Sequence, residues 1–274
     1  MNKNSNLYIV IYSTVMVVVV ATLLAVAALA LKSRQDANIL NEKKQAILAS
    51  LSAAGENYDE YITAYVVDGQ GQTLEGEDPI ALLFDLPTAF AEHKLPVFKA
   101  QDGRIVVPVT GVGLWGPMWG YVALEQDMNT IAGVVLDHAG ETPGLGAEVA
   151  TPKHQAMYKG KTLFEGDEFV SVTLRKGGAK DPAHEVDAIS GGTKTSDGVT
   201  AMLKNSLGAY LPLLKGASAE KACTGDCATC EAQCEKKCAE ACDNHCTEER
   251  KQECQKACEK KCTECETNKV ENNE

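Results

Sequence analysis

The chain has 274 residues, 45% of them hydrophobic and 23% charged, with a formal net charge of −12. That length allows one medium domain with attachments. The excess of 38 Asp and Glu over 26 Lys and Arg argues against nucleic acid as a partner, because binding a phosphate backbone needs clustered cations. All eleven cysteines lie between Cys223 and Cys265, so no disulfide framework supports the first 222 residues.

Residues 7–31 are 25 consecutive residues without a charge. At about 1.5 Å per residue they exceed a hydrocarbon core of about 30 Å. Ala28-Leu29-Ala30 resembles a cleavage site, but the apolar region of a signal peptide runs only about 7–15 residues. The expectation is a retained transmembrane anchor over 1–35, in contact with membrane lipid. Lys32, Arg34, Lys43 and Lys44 follow it and only Lys3 precedes it, a charge balance that by itself keeps the following segment cytoplasmic. Residues 36–56 read as a juxtamembrane helix, with Ile39, Leu40, Ile47, Leu48 and Leu51 at helical spacing and Gly55 as the stop.

Residues 57–216 mix strand and helix signals and predict an α+β domain with a mixed sheet. Runs at 61–67, 104–109, 120–124, 130–136 and 169–174 are β-branched or alternating and are bounded by Gly, Pro or Asp. Helices are expected at 147–158 and 196–211. In the second, Val199, Met202, Leu203, Leu207, Tyr210 and Leu211 share a face, Ser196 serves as N-cap and Pro212 ends it.

Three loops carry candidate chemistry. Gly111-Val-Gly-Leu-Trp-Gly116 fits the dinucleotide pattern G-x-G-x-x-G, but another β-rich run follows, so no helix N-terminus is offered to a pyrophosphate. The simplest role for Trp115 and Trp119 is packing on the core, and walling a planar ligand is the alternative. His138-Ala-Gly-Glu-Thr-Pro-Gly-Leu-Gly146 is a Gly/Pro-rich loop at a strand end, with Glu141 as acceptor and Thr142 as hydroxyl. Asp187-Ala-Ile-Ser-Gly-Gly-Thr193-Lys194 leads into a helix. Its glycines, the helix N-terminus and the lysine form an anion cradle, without the Walker spacing that nucleotide hydrolysis needs.

In order and spacing, Gly113-Leu-Trp115 with Trp119-Gly-Tyr121, the 138–146 loop, and Ser190-Gly-Gly-Thr193 resemble the NqrC family, a component of the Na⁺-translocating NADH:quinone oxidoreductases. The RnfG component of the Rnf electron-transport complex is the related alternative. The resemblance covers roughly residues 1–214 and implies an FMN joined by a phosphoester to a threonine in an Asp-x-x-Ser/Thr-Gly-Ala-Thr/Ser signature, attached by a separate flavin transferase. Asp187, Ser190, Gly191 and Thr193 fill that signature, with Gly192 where alanine is usual. Thr193 is the expected acceptor, ahead of Thr195 and Ser196, and Lys194 stands beside it. The resemblance further implies that Glu141, Thr142, Leu145 and Gly146 face the isoalloxazine ring and that Trp115 walls it. It also implies a domain outside the cytoplasmic membrane, against the local charge count. NADH, quinone and Na⁺ sites are then expected on partner subunits.

From Ala217 the tail has 14 Asp/Glu, 9 Lys/Arg and no aromatic residue, Leu, Ile or Met, so it has no conventional core. Its cysteines fall at i, i+3 and i+4 steps with Arg250 in the gap. A helix or hairpin stapled by disulfides is one reading. Metal or iron–sulfur ligation, with Cys227, Cys230, Cys262 and Cys265 as C-x-x-C pairs, is a second, and a disordered solvated extension is a third. A membrane-tethered, Cys-rich structural or metal-binding protein with an inert middle domain is the competing class.

Overall fold

The computed structural model describes residues 6–221. In chain order its elements are α1 (Asn6–Ser50), α2 (Tyr58–Tyr61), β1 (Ile62–Val67), β2 (Thr73–Leu74), α3 (Pro79–Leu82), α4 (Leu86–Ala91), β3 (Leu95–Ala100), β4 (Ile105–Val112), β5 (Pro117–Leu124) and β6 (Ile131–His138). Two 3₁₀ turns, Gly146–Ala150 and Ala156–Tyr158, flank α5 (Pro152–Gln155). Then follow β7 (Phe164–Glu165), β8 (Glu168–Phe169), β9 (Thr173–Arg175), β10 (Glu185–Asp187), α6 (Thr193–Ala209) and α7 (Leu211–Lys221).

Six strands form one antiparallel sheet in the order β2-β1-β3-β4-β5-β6. Among the described residues parallel pairing is confined to the separate pair β9–β10, so the α+β assignment holds with the two strand senses segregated. Both faces of the sheet are buried. Val107 and Val109 of β4, Val122 of β5 and Leu136 of β6 pack against Val199, Leu203 and Leu207 of α6. On the other face Phe98, Val106, Tyr121, Ala123 and Ala132 meet Ile47, Leu48 and Leu51 from the end of α1 and just beyond. Burial on both sides explains why 105–109 reads as an unbroken apolar run instead of an alternating one.

Helix α1 is continuous through residue 35, about 65–70 Å long. Among the described residues it is the one helix long and apolar enough to cross a membrane. Ile9, Val17, Leu23 and Leu29 are exposed, so none of the other described residues covers this stretch. Its end is fastened to the domain. Arg104, held by Asp102 at 2.7 Å, donates to the Leu51 carbonyl at 3.0 Å, and Lys43 donates to the Leu83 carbonyl at 2.9 Å.

Several predicted elements differ from those observed. The expected helix 147–158 is two 3₁₀ turns around a four-residue helix, because Pro152 removes a backbone donor inside it. The expected strand 169–174 is interrupted at Ser171, whose φ of 62° leaves the extended region. Ser196 is an interior residue of α6; Gly192 is its N-cap. Pro212 opens α7, where a proline in the first turn lacks only an N–H that would be unpaired anyway. The cysteine readings, including Cys227, Cys230, Cys262 and Cys265, lie outside the described residues.

Candidate functional site

The β4–β5 hairpin tip, the loop after β6 and the start of α6 meet at one end of the sheet. In the hairpin Gly113 N–H donates to the Gly116 carbonyl at 2.8 Å, and strand continues on both sides, so the G-x-G-x-x-G match is a β-turn. Gly198 lets the hairpin approach α6: a Cβ there would overlap the Val112 carbonyl.

Thr193 is the first residue of α6 and is exposed, as is Lys194. No side chain caps this helix end, so its first amides face outward, as helix geometry requires. Gly191, at φ 74°, makes the left-handed turn into it, and a Cβ there would strike Leu145 Cδ2 at 2.6 Å. The other two candidate hydroxyls are engaged. Buried Thr195 donates to Glu141 Oε2 at 2.7 Å. Buried Ser196 donates to the Gly192 carbonyl at 2.9 Å and accepts from Ile189 N–H at 3.0 Å, which holds the 189–192 turn closed.

The hairpin tip and the 138–146 loop, which meet the first turns of α6, expose an apolar rim. Val112 is 70% exposed, Leu114 54%, Trp115 68% and Leu145 43%. Trp115 therefore does not pack on the core, the simplest role its sequence context suggests, while Trp119 is half-buried in β5. Thr142 is also exposed, and its carbonyl accepts from Leu145 and Ala147.

Glu141 and Gly146 do not open toward the rim. Glu141 is 5% exposed; its Oε1 accepts from Trp115 N–H at 2.9 Å and its Oε2 from Thr195. Burial pushes this carboxyl up, but the donors from Trp115, Thr195 and Leu114 together with His138 outweigh it and hold the group below the ordinary carboxylate range. Gly146 lies between Glu141 and Thr195, where a side chain does not fit. Asp187 stands apart: its Oδ1 accepts from Ala179 N–H at 2.7 Å and shapes the turn before β10. Ser190 is exposed in the turn ahead of Gly191. Gly198 carries no signal in the sequence, and Thr195 and Gly113, read there as a lesser acceptor and a motif glycine, matter instead through contacts from distant segments.

An exposed hydroxyl at a helix N-terminus, a neighbouring lysine and a rim of exposed Leu and Trp side chains suit a phosphate joined to a flat aromatic group. Similarity to known proteins agrees with that chemistry. Residues 113–208 match the family described as FMN-binding domain. The NqrC component of the Na⁺-translocating NADH-quinone reductase of Pseudomonas aeruginosa is 36% identical over 245 residues, 76% of this chain and 93% of that protein.

The chain belongs to the NqrC family of Na⁺-translocating NADH-quinone reductases. The Haemophilus ducreyi NqrC is 32% identical over 78% of this chain and 96% of its own length. The crystal structure of the corresponding protein from Parabacteroides distasonis superposes with a TM-score of 0.62 at 43% identity, over 67% of this chain and 96% of that one. The Shewanella oneidensis NqrC structure gives 0.57 at 27%, over 67% and 99%. The protein is thus a subunit of an oxidoreductase complex, with an FMN-binding domain. Membership in the NqrC family takes the place of the Rnf alternative and of the inert-domain reading.

Proposed function

We propose that this chain carries an FMN joined by a phosphoester to Thr193 and relays electrons within a membrane NADH:quinone reductase whose quinone reduction is coupled to Na⁺ export. The observation that carries the reading is the contrast among three hydroxyls. Thr195 and Ser196 are buried and hydrogen-bonded, whereas Thr193 is exposed on the first turn of α6. A phosphate there gains the positive end of a 17-residue helix and the Lys194 cation. A flavin transferase that modifies Thr193 needs that exposure.

When bound, FMN supplies reversible electron-carrying chemistry. The residues here hold and tune it. Trp115, Leu114 and Leu145 offer apolar surface to the ring, and Thr142 and the loop amides offer polar contacts. Ser190, Gly191 and Gly192 shape the turn that presents Thr193, and Asp187 orders the backbone ahead of it. No side chain is assigned a proton-transfer or nucleophilic role. On the family resemblance the NADH, quinone and Na⁺ sites are assigned to the other subunits, and for Na⁺ the lack of any charged residue between 7 and 31 of α1 supports that. We place the domain on the outer side of the cytoplasmic membrane, behind the anchor α1, on the family resemblance.

Mass spectrometry of the peptide containing Thr193, from protein isolated from its native host, is expected to show one FMN-sized addition. Thr193→Val should lose that addition and the in-gel flavin fluorescence while the fold is retained. Unmodified Thr193 in an active complex overturns the proposal.

A further inference from the structure

Among the described residues no Lys or Arg forms an ion pair with Glu141. A buried charge without a counterion is costly unless donors satisfy it. Here they do, and they come from separate segments: the Trp115 amide at the hairpin tip and the Thr195 hydroxyl, two residues beyond Thr193 on α6. Glu141 itself sits on the loop after β6, its amide donating to His138 Nδ1 at 3.2 Å. Gly113 and Gly146 provide the space, since a Cβ on either would overlap a carboxylate oxygen. A side chain that only filled the loop would not need bonds to two distant elements and two glycines to admit it.

We propose that Glu141 is a positioning residue, a buried anion that latches the Leu114–Trp115 backbone to the Thr193 turn of α6 and lowers the reduction potential of a flavin attached at Thr193. The latch stands on geometry alone; the effect on potential rests on the flavin reading of Thr193. A fixed negative charge in a low-dielectric wall opposes the addition of electrons beside it, and substituting a neutral group relieves that opposition.

Glu141→Gln separates charge from shape. Its amide carbonyl still accepts from Trp115, its NH₂ donates to a Thr195 hydroxyl turned to accept, and the charge is gone. In the full chain with FMN attached, spectroelectrochemistry should show the midpoint potential shifted upward in Glu141→Gln, with amide exchange at 113–116 close to wild type. Glu141→Ala removes both bonds. In the unflavinylated Thr193→Val background it should raise exchange about tenfold or more at both 113–116 and 193–198, as loss of a charge-assisted bond predicts. If Glu141→Ala does not fold, Thr195→Val removes the α6 bond alone and is expected to raise exchange at both segments. An unchanged or lowered potential in Glu141→Gln, or an exchange increase confined to 138–146, overturns the proposal. Absence of FMN on Thr193 in the wild type overturns the flavin reading instead, and the exchange measurements still decide the latch.

Discussion

Two glycines show how little room the site leaves. Gly146 and Gly113 face the two oxygens of Glu141, and neither has the positive φ that explains most structurally required glycines. Gly146→Ala should therefore destabilise the domain by about 1–3 kcal/mol through overpacking and should reduce FMN content, measured by thermal unfolding and by the flavin-to-protein absorbance ratio. Gly166→Ala is the matched control. Its φ of 60° is strained, but its surroundings are open, so it should cost about 1 kcal/mol and leave FMN content unchanged. The glycines of 138–146 are visible in the sequence, but which of them is bounded by a carboxylate depends on residues 113, 141 and 195 meeting.

The element that determines the domain's attachment is α1. Its N-terminal part, long and apolar enough to cross a membrane, is readable as an apolar run, and the spacing of Ile47, Leu48 and Leu51 predicts an amphipathic end. That this end is half of a second core beneath the sheet follows only from tertiary contacts with Phe98, Tyr121 and Ala123. Leu48, with no exposed surface, should cost about 2–5 kcal/mol when changed to Ala, and should free the segment 51–57 to proteolysis while the α6 face remains protected. Of the two hidden breaks, one has a local cause. Pro152 divides the expected helix 147–158, whereas Ser171 adopts a positive φ that no local signal announces. Helix α6 was the most legible element, because Val199, Met202, Leu203 and Leu207 repeat at helical spacing and are all buried.

At the scale of the molecule, the sheet is covered on one face by α6 and on the other by the end of α1, and the β9–β10 pair braces the chain that leads into the Thr193 turn. Leu174 N–H donates to Thr200 on α6 at 3.0 Å. Glu185 accepts from Arg175 Nε at 2.8 Å and from the amides of Lys180 and Asp181. The Arg175 guanidinium, reinforced by those amides, brings the Glu185 carboxyl down from 4.5 to about 2. A depressed carboxylate adds stability that is complete above its ordinary value and is lost as pH falls through its folded value. Thermal unfolding should therefore grow steeper in its pH dependence between about 4.5 and 2, and Glu185→Gln should lower Tm at neutral pH and flatten that region.

The linear order of residues determined the apolar N-terminal helix, the α+β character, the long amphipathic helix and the three loops whose resemblance pointed to a flavin at Thr193. All of these are patterns within a few turns of chain. Tertiary structure alone decided that Trp115 is exposed and that Thr193, not Thr195 or Ser196, presents a free hydroxyl. It also decided that Glu141 faces inward. Those outcomes depend on which backbone groups from separate segments arrive within hydrogen-bond distance, and periodicity carries no information about that.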